Sequence, residues 1–270
     1  MHYEGVLKKM KTDFHQPIQY MLNFKDDFLI MNQLIGMDIK ISFNKYECLN
    51  CHKNKKIFRQ GFCYDCFQSS PKVGDWIMKP ELSKAHLDEE DRDLEYEKQV
   101  QLQPHIIYIA NSSNPKVGVT RKSQVPTRWI DQGAHEAVVL AEVPNRYLAG
   151  IGEVALKNHL SDKTKWRQML QNKRDDVDIK EVAQQMKQYL PNEVQKYMKE
   201  DPELWEIEFP VNQFPVKVKS LNLLKTPVYE GVLCGIKGQY LLFEDQTVFN
   251  IRNSEGYVTT WDISIKNQPE

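Results

Sequence analysis

The chain has 270 residues, 27% of them charged and 41% hydrophobic, with a formal net charge of −1 at pH 7. That length holds two or three cores rather than one. No apolar run approaches a membrane span, and Met1-His2-Tyr3-Glu4-Gly5-Val6-Leu7 lacks the basic-then-apolar form of a signal peptide, so no membrane partner and a cytoplasmic location are expected.

Residues 1–46 read as an N-terminal β module. Tyr3 to Leu7, Ile18 to Leu22, Phe28 to Met31 and Met37 to Phe43 are short strand-like runs, and the last alternates between apolar and polar side chains. Tyr3-Glu4-Gly5-Val6-Leu7 returns near the other end as Tyr229-Glu230-Gly231-Val232-Leu233. This echo allows two arrangements: both ends in one sheet, or two similar small barrels.

Residues 47–70 carry the strongest local signal. Cys48-x2-Cys51 and Cys63-x2-Cys66 sit eleven residues apart. Two such knuckles suit a tetrahedral zinc ion with all four positions filled, which leaves none for water or substrate and makes the site structural. The five cysteines of the chain fit a metal site in a reducing compartment better than a disulfide scaffold; Cys234, alone in an apolar run, reads as a buried small side chain. Lys53, Lys55, Lys56 and Arg59 beside Phe58 and Phe62 suit phosphate contact with base stacking, or equally a solvated basic loop.

Residues 71–104 read as a connector, with the charged stretch Leu87 to Gln103 either a helix or mobile. The core follows over residues 105–174. Ile106-Ile107-Tyr108-Ile109 predicts a buried strand, Asn111 to Pro115 a turn, and Lys116 to Thr120 a second strand, together a hairpin. A helical segment around Thr127 to Asp131 has Gly133 as its C-cap. Ala137 to Ala141 predicts a third strand, and Leu148, Ile151, Ala155, Leu156 and Leu160 recur at helical spacing.

The order strand, strand, helix, strand, helix, with Tyr108, Val117-Gly118, Arg128 and Glu153 placed on it, resembles the GIY-YIG nuclease core. The longer strings Lys116-Val117-Gly118-Val119-Thr120-Arg121, Pro126 to Ala134 and Asp162-Lys163-Thr164-Lys165-Trp166-Arg167 resemble an uncharacterised family, domain-of-unknown-function family 2797, over nearly the whole chain. The nuclease resemblance implies that Glu153 would hold one Mg²⁺, Arg128 would stabilise charge on the phosphate and Tyr108 would help activate water. A hard cation wants carboxylate oxygen, and a developing dianion wants a guanidinium fork. Ile106 stands where the family has its first glycine, Lys116 where it has its second tyrosine, and Asp131 and Gln132 lie where it often has a histidine. Losing one tyrosine removes a participant in water activation, whereas Lys116 adds a cation. The remnant would hold a phosphodiester better than it would cut one.

Residues 175–204 read as a helical segment. Ile179, Val182, Met186 and Leu190 share a face before Pro191, and Asn192 is expected to cap a shorter helix. Residues 205–270 read as a C-terminal β module: Trp205 to Phe209 and Val216 to Lys219 alternate, and strands follow at Tyr229 to Leu233, Tyr240 to Phe243, Val248 to Ile251 and Tyr257 to Ile265. The fold class expected is α+β, a GIY-YIG-like β-β-α-β-α core flanked by small β-barrel-like modules with a four-cysteine zinc ribbon.

Charge is segregated along the chain. From His105 to Arg174 there are eleven Lys and Arg against five acids, while Asp88 to Asp93 and Asp175 to Asp178 are acidic. Lys116, Arg121, Lys122, Arg128, Lys163, Lys165 and Arg167 are the candidate backbone contacts for RNA or DNA. The function expected is a nucleic-acid-binding protein with structural zinc, nuclease activity being weak or absent. The alternatives are an active Mg-dependent GIY-YIG-type endonuclease, or a protein-interaction scaffold with a dead core.

Overall fold

The structure is a computed structural model that describes residues 1–264. Ile265, read as the end of the last strand, lies outside the described residues. The chain forms two compact units. One comprises Met1–Gln68, Leu170–Asn172 and the stretch from Glu208 onward; the other comprises Ser69–Met169 and Lys173–Ile207. Among the described residues no helix is long and apolar enough to cross a membrane.

The first unit is organised by a seven-stranded sheet. Its order is His2–Val6, Tyr257–Ser264, Asp38–Tyr46, Val228–Lys237, Tyr240–Phe243, Thr247–Asn250, Lys219–Ser220, antiparallel except at the last pair. Alternation along Asp38–Tyr46 sends Ile39 and Ile41 into the core and leaves Lys40 exposed. The two ends of the chain therefore share one sheet, which is the first arrangement the echo allowed. The expected small barrels are corrected: the outer strands His2–Val6 and Lys219–Ser220 each have a single neighbour, so this sheet stays open.

The echo has a structural meaning. Tyr3 pairs with Trp261 and Gly5 with Thr259, while Tyr229 pairs with Ile41 and Gly231 with Ile39. Trp261 itself pairs with Ile41. The two copies thus flank the central strand pair at positions related by a local two-fold through Ile41 and Trp261. Even the next residue obeys it, because Leu7 donates its N–H to Tyr257 and Leu233 donates its N–H to Met37.

Two expected strands shrink. The alternation from Trp205 to Phe209 yields a strand only at Leu204–Glu206, and Val216 to Lys219 yields only Lys219–Ser220. Alternation alone does not make a strand: Ile207 and Phe209 are buried outside one, and Val216 stands 82% exposed.

The second unit has a four-stranded antiparallel sheet ordered Leu204–Glu206, Glu136–Val143, His105–Asn111, Pro115–Arg121. With helices Thr127–Asp131 and Arg146–Lys157, its chain order is strand, strand, helix, strand, helix. Gly133 ends the first helix at φ +66°, and the Asn145 side chain caps the second by accepting from the Leu148 N–H at 2.9 Å. One sheet face, with Ile107, Ile109, Val117, Val138 and Leu140, packs under helices Arg146–Lys157 and Ile179–Met186. On that side Gly152 is required by Ile107, whose Cδ1 would lie 2.4 Å from an added Cβ. The opposite face carries Ile106, Tyr108 and Lys116, with Trp129 set edge-on against Tyr108.

The stretch read as a connector is folded. Four single 3₁₀ turns between Pro71 and Leu87 lead to helix Leu94–Gln101, and Trp76 is buried. The carboxylate of Glu97 is also buried, accepting from the N–H groups of Asp91, Arg92 and Asp93. Asn192 is not a cap: Pro191 supplies the carbonyl that accepts from Val194 and Gln195, so Asn192 is the first residue inside helix Asn192–Gln195.

Candidate functional site

The four cysteines converge. Their sulfurs lie within 4.8 Å of one another, with Cys51 and Cys63 4.0 Å apart. Metal–sulfur bonds of about 2.3 Å in a tetrahedron require sulfurs about 3.8 Å apart, so the cluster is at the spacing a metal ion needs. Local geometry produces it. His52, Gln60 and Gly61 take positive φ in the two knuckles, and the Cys63 N–H donates to the Cys48 sulfur at 3.3 Å. A Cβ on Gly61 would meet Leu49 at 2.4 Å. Burial alone would raise the Cys48 thiol, but the N–H groups of Cys51, Cys63 and Asn50 bring it down to about 6. His52 points to Glu47 at 3.5 Å and is mostly exposed. Cys234 donates its thiol to the carbonyls of Leu242 and Gln213 and belongs to the core of the large sheet. The four thiols could hold a metal ion, and an all-sulfur set is compatible with structural zinc.

In the second unit, Arg128 and Glu153 come from two separate helices into electrostatic reach of Tyr108. Tyr108 is fully buried and its hydroxyl donates to Gln132 Oε1 at 3.0 Å, with the Arg128 guanidinium beside it. Burial pushes its pKa up. The ring lies over the neighbouring strand at Gly118, where a Cβ would stand 2.5 Å from the hydroxyl, so only glycine fits. Lys116, two residues earlier on the same face, is 3% exposed and donates to Thr164 Oγ1 at 2.6 Å. Burial, and then the neighbouring Arg128, lower its pKa to about 7. Glu153 is 9% exposed, and burial raises its carboxyl while Lys157 draws it back. It reaches these groups because Pro115–Arg121 is the edge strand.

A lysine stands between two carboxylates of this site. Lys157 Nζ lies 3.3 Å from Glu153 and 3.5 Å from Asp162, bridging the two carboxylates. Arg146 closes the floor. Its guanidinium donates to the carbonyls of Trp76 and Ile77 at 2.9 and 2.8 Å, and burial lowers its pKa to about 10.

Of the other candidate cations, the structure gathers some and separates others. Lys163, Lys165 and Arg167 are exposed on the segment around Thr164, which borders Lys116, and Arg167 stacks 4.4 Å above Trp166. Arg121 and Lys122 sit at the far end of the edge strand, five or more residues from Lys116, roughly 16 Å along a strand. Lys122 is paired there with Glu142 at 2.7 Å, while Arg121 is in electrostatic reach of the Arg146 guanidinium. Gln132, Arg146, Lys157, Asp162 and Thr164 are not marked as site residues by the sequence. The Glu153/Lys157 spacing of one helical turn was legible; the others meet only through the fold.

The family model described as "Protein of unknown function (DUF2797)" matches residues 36–259. No curated protein and no solved structure matches the chain.

Proposed function

The chain belongs to the DUF2797 family of proteins of unknown function, and from that premise, which brings no activity with it, we propose that it is a nucleic-acid-binding protein. In this reading a zinc ion on Cys48, Cys51, Cys63 and Cys66 holds the ribbon. A divergent GIY-YIG-like core binds phosphodiester and cuts it weakly or not at all. The observation that carries the reading is the convergence of Arg128 and Lys116 beside Tyr108 and Glu153. Half-buried Arg128 offers a planar fork to phosphate oxygens. Lys116 adds a second cation, and Lys163, Lys165 and Arg167 would meet the flanking backbone.

Binding is favoured over cutting for a specific reason. Hydrolysis by a single Mg²⁺ needs an available carboxylate. Glu153 and Asp162 are both engaged by the Lys157 ammonium, and the residue at the second tyrosine position is a lysine. An active Mg-dependent endonuclease is the second reading; it needs Lys157 to swing away and free Glu153.

The test is binding of short RNA and DNA across a salt series. We expect affinity to fall steeply with salt, and Arg128→Ala to weaken binding and reduce the log–log slope by about 1. Salt-insensitive behaviour, or an unchanged slope in Arg128→Ala, removes the proposal in favour of a protein-interaction scaffold. Mg²⁺-dependent cleavage abolished by Glu153→Ala establishes the endonuclease reading.

A further inference from the structure

The second unit contains a cavity that the phosphate site does not use. Its volume is about 470 Å³, within the roughly 300–1,000 Å³ typical of small-molecule sites. Ile106, Val125, Val139 and Trp205 form an apolar wall, and Glu142 stands among them. The cavity opens on the Tyr108 face of the sheet, because Glu142 pairs with Ile106 and Val139 with Tyr108. Trp129 links the two places, its indole edge-on to both Tyr108 and Trp205 at 5.7 and 5.5 Å. Ile106 lies two residues from Tyr108 along the strand, about 7 Å. Arg128 stands beside the Tyr108 hydroxyl.

The chemistry of the lining selects a class of ligand. A half-buried indole offers a stacking surface to a flat ring. Glu142 is an acceptor with about four lone-pair directions. Lys122 at 2.7 Å on Oε1 and Lys199 at 3.5 Å on Oε2 take one on each oxygen, and the two ammoniums keep the group ionised. One acceptor direction per oxygen remains, which matches two adjacent N–H donors on one edge. Asp201 and Glu203 also line the cavity, so its acids outnumber its lysines and an anionic group is disfavoured inside.

We propose that this cavity takes a guanine base, its ring against Trp205 and its adjacent N1–H and N2–H donors on the two Glu142 oxygens. Guanine alone among the four RNA bases presents two such donors side by side. Adenine and cytosine set an acceptor ring nitrogen next to the amino group, and uracil carries carbonyls on both sides of its N–H. The proposal rests on the nucleic-acid reading and deepens it, since the recognised base would be adjacent to the phosphodiester at Arg128. Reading an unstacked base by its edge and its face is how single-stranded RNA is told apart by sequence.

The test is a tryptophan-fluorescence titration of the full chain with guanosine, which carries no phosphate, against adenosine and N-acetylarginine amide. We expect saturable quenching by guanosine and at least about tenfold weaker binding of adenosine. Glu142→Gln should lose about tenfold in guanosine affinity, and Trp205→Phe should retain binding with a smaller quench. Absence of saturable quenching, equal affinity for adenosine, or tighter binding of the arginine amide overturns the proposal. The ligand ranking on the unaltered chain decides by itself if either variant misfolds. Because guanosine has no phosphate, failure here leaves phosphodiester binding at Arg128 standing, and an unchanged salt slope in Arg128→Ala leaves this result readable.

Discussion

The cysteine cluster and the Tyr108–Arg128–Glu153 pocket are both four-component polar sites, counting Lys116, yet they are built in opposite ways. All four cysteines lie within nineteen residues of one another, on two knuckles whose turns are local. The pocket draws on two strands and two helices, 46 residues from Tyr108 to Glu153, and on backbone carbonyls at Trp76 and Ile77 for its floor. The first site is identical donors aimed at one point, so a metal ion satisfies all of it. The second mixes cations, a carboxylate and a phenol, three of them held by side chains outside the four: Tyr108 by Gln132, Lys116 by Thr164 and Glu153 by Lys157. That is why it reads as a place that grips an anion rather than one waiting for a metal.

The comparison is tested most severely by removing the metal. Cys63→Ala, or a strong chelator, should take bound zinc from about one ion per chain to near none and unfold the ribbon, with a loss on the order of 10 kcal/mol of local folding free energy. Metal content and hydrogen exchange over residues 47–69 read this. Full protection of the ribbon without metal would put the two sites on the same footing. The pocket should respond to a much smaller change. Gly118→Ala pushes a Cβ to 2.5 Å from the Tyr108 hydroxyl and should cost about 1–3 kcal/mol in denaturant unfolding. Indifference to it would mean Tyr108 is free to turn aside.

Freeing the carboxylates is the next step down. Lys157→Met removes the ammonium that bridges Glu153 and Asp162. Mg²⁺ affinity measured by calorimetry should rise by about tenfold, or about 1.4 kcal/mol. No change would show that Lys157 is not what bars a metal.

The smallest expected effect is a pH dependence. Lys116 in the folded chain titrates at about 7, depressed by burial and by Arg128, so its charge is lost as pH rises through 7. Phosphodiester affinity should therefore decline between pH 6 and 8 at fixed salt, and Lys116→Gln should flatten that decline. The linkage to stability has the opposite sign. Between about 7 and the unfolded lysine value the unfolded chain binds more protons, so this residue makes the folded state more stable with rising pH. The cysteine site, once metal-bound, should show neither trend over that range.

Much of this architecture was legible in the residues themselves. Continuous apolar runs and turn clusters placed the core's strands, and helical spacing its last helix, within a few residues of their bounds, because a strand buried on both faces is apolar throughout and an amphipathic helix leaves a period-3.6 mark. Cysteine spacing picked out the four thiols that could hold a metal ion, because the knuckle turns are local. A resemblance to the GIY-YIG core, carried by those elements, pointed to Tyr108, Arg128 and Glu153. The sequence could not assign Lys157, Arg146, Gln132 and Thr164 to the pocket, since each enters through a side-chain contact with no periodic signature. Nor did it decide whether the Tyr-Glu-Gly-Val-Leu echo meant two barrels or one sheet. Strand pairing is non-local, and only the central pair of Asp38–Tyr46 with Tyr257–Ser264 could set the two copies on either side of a shared axis.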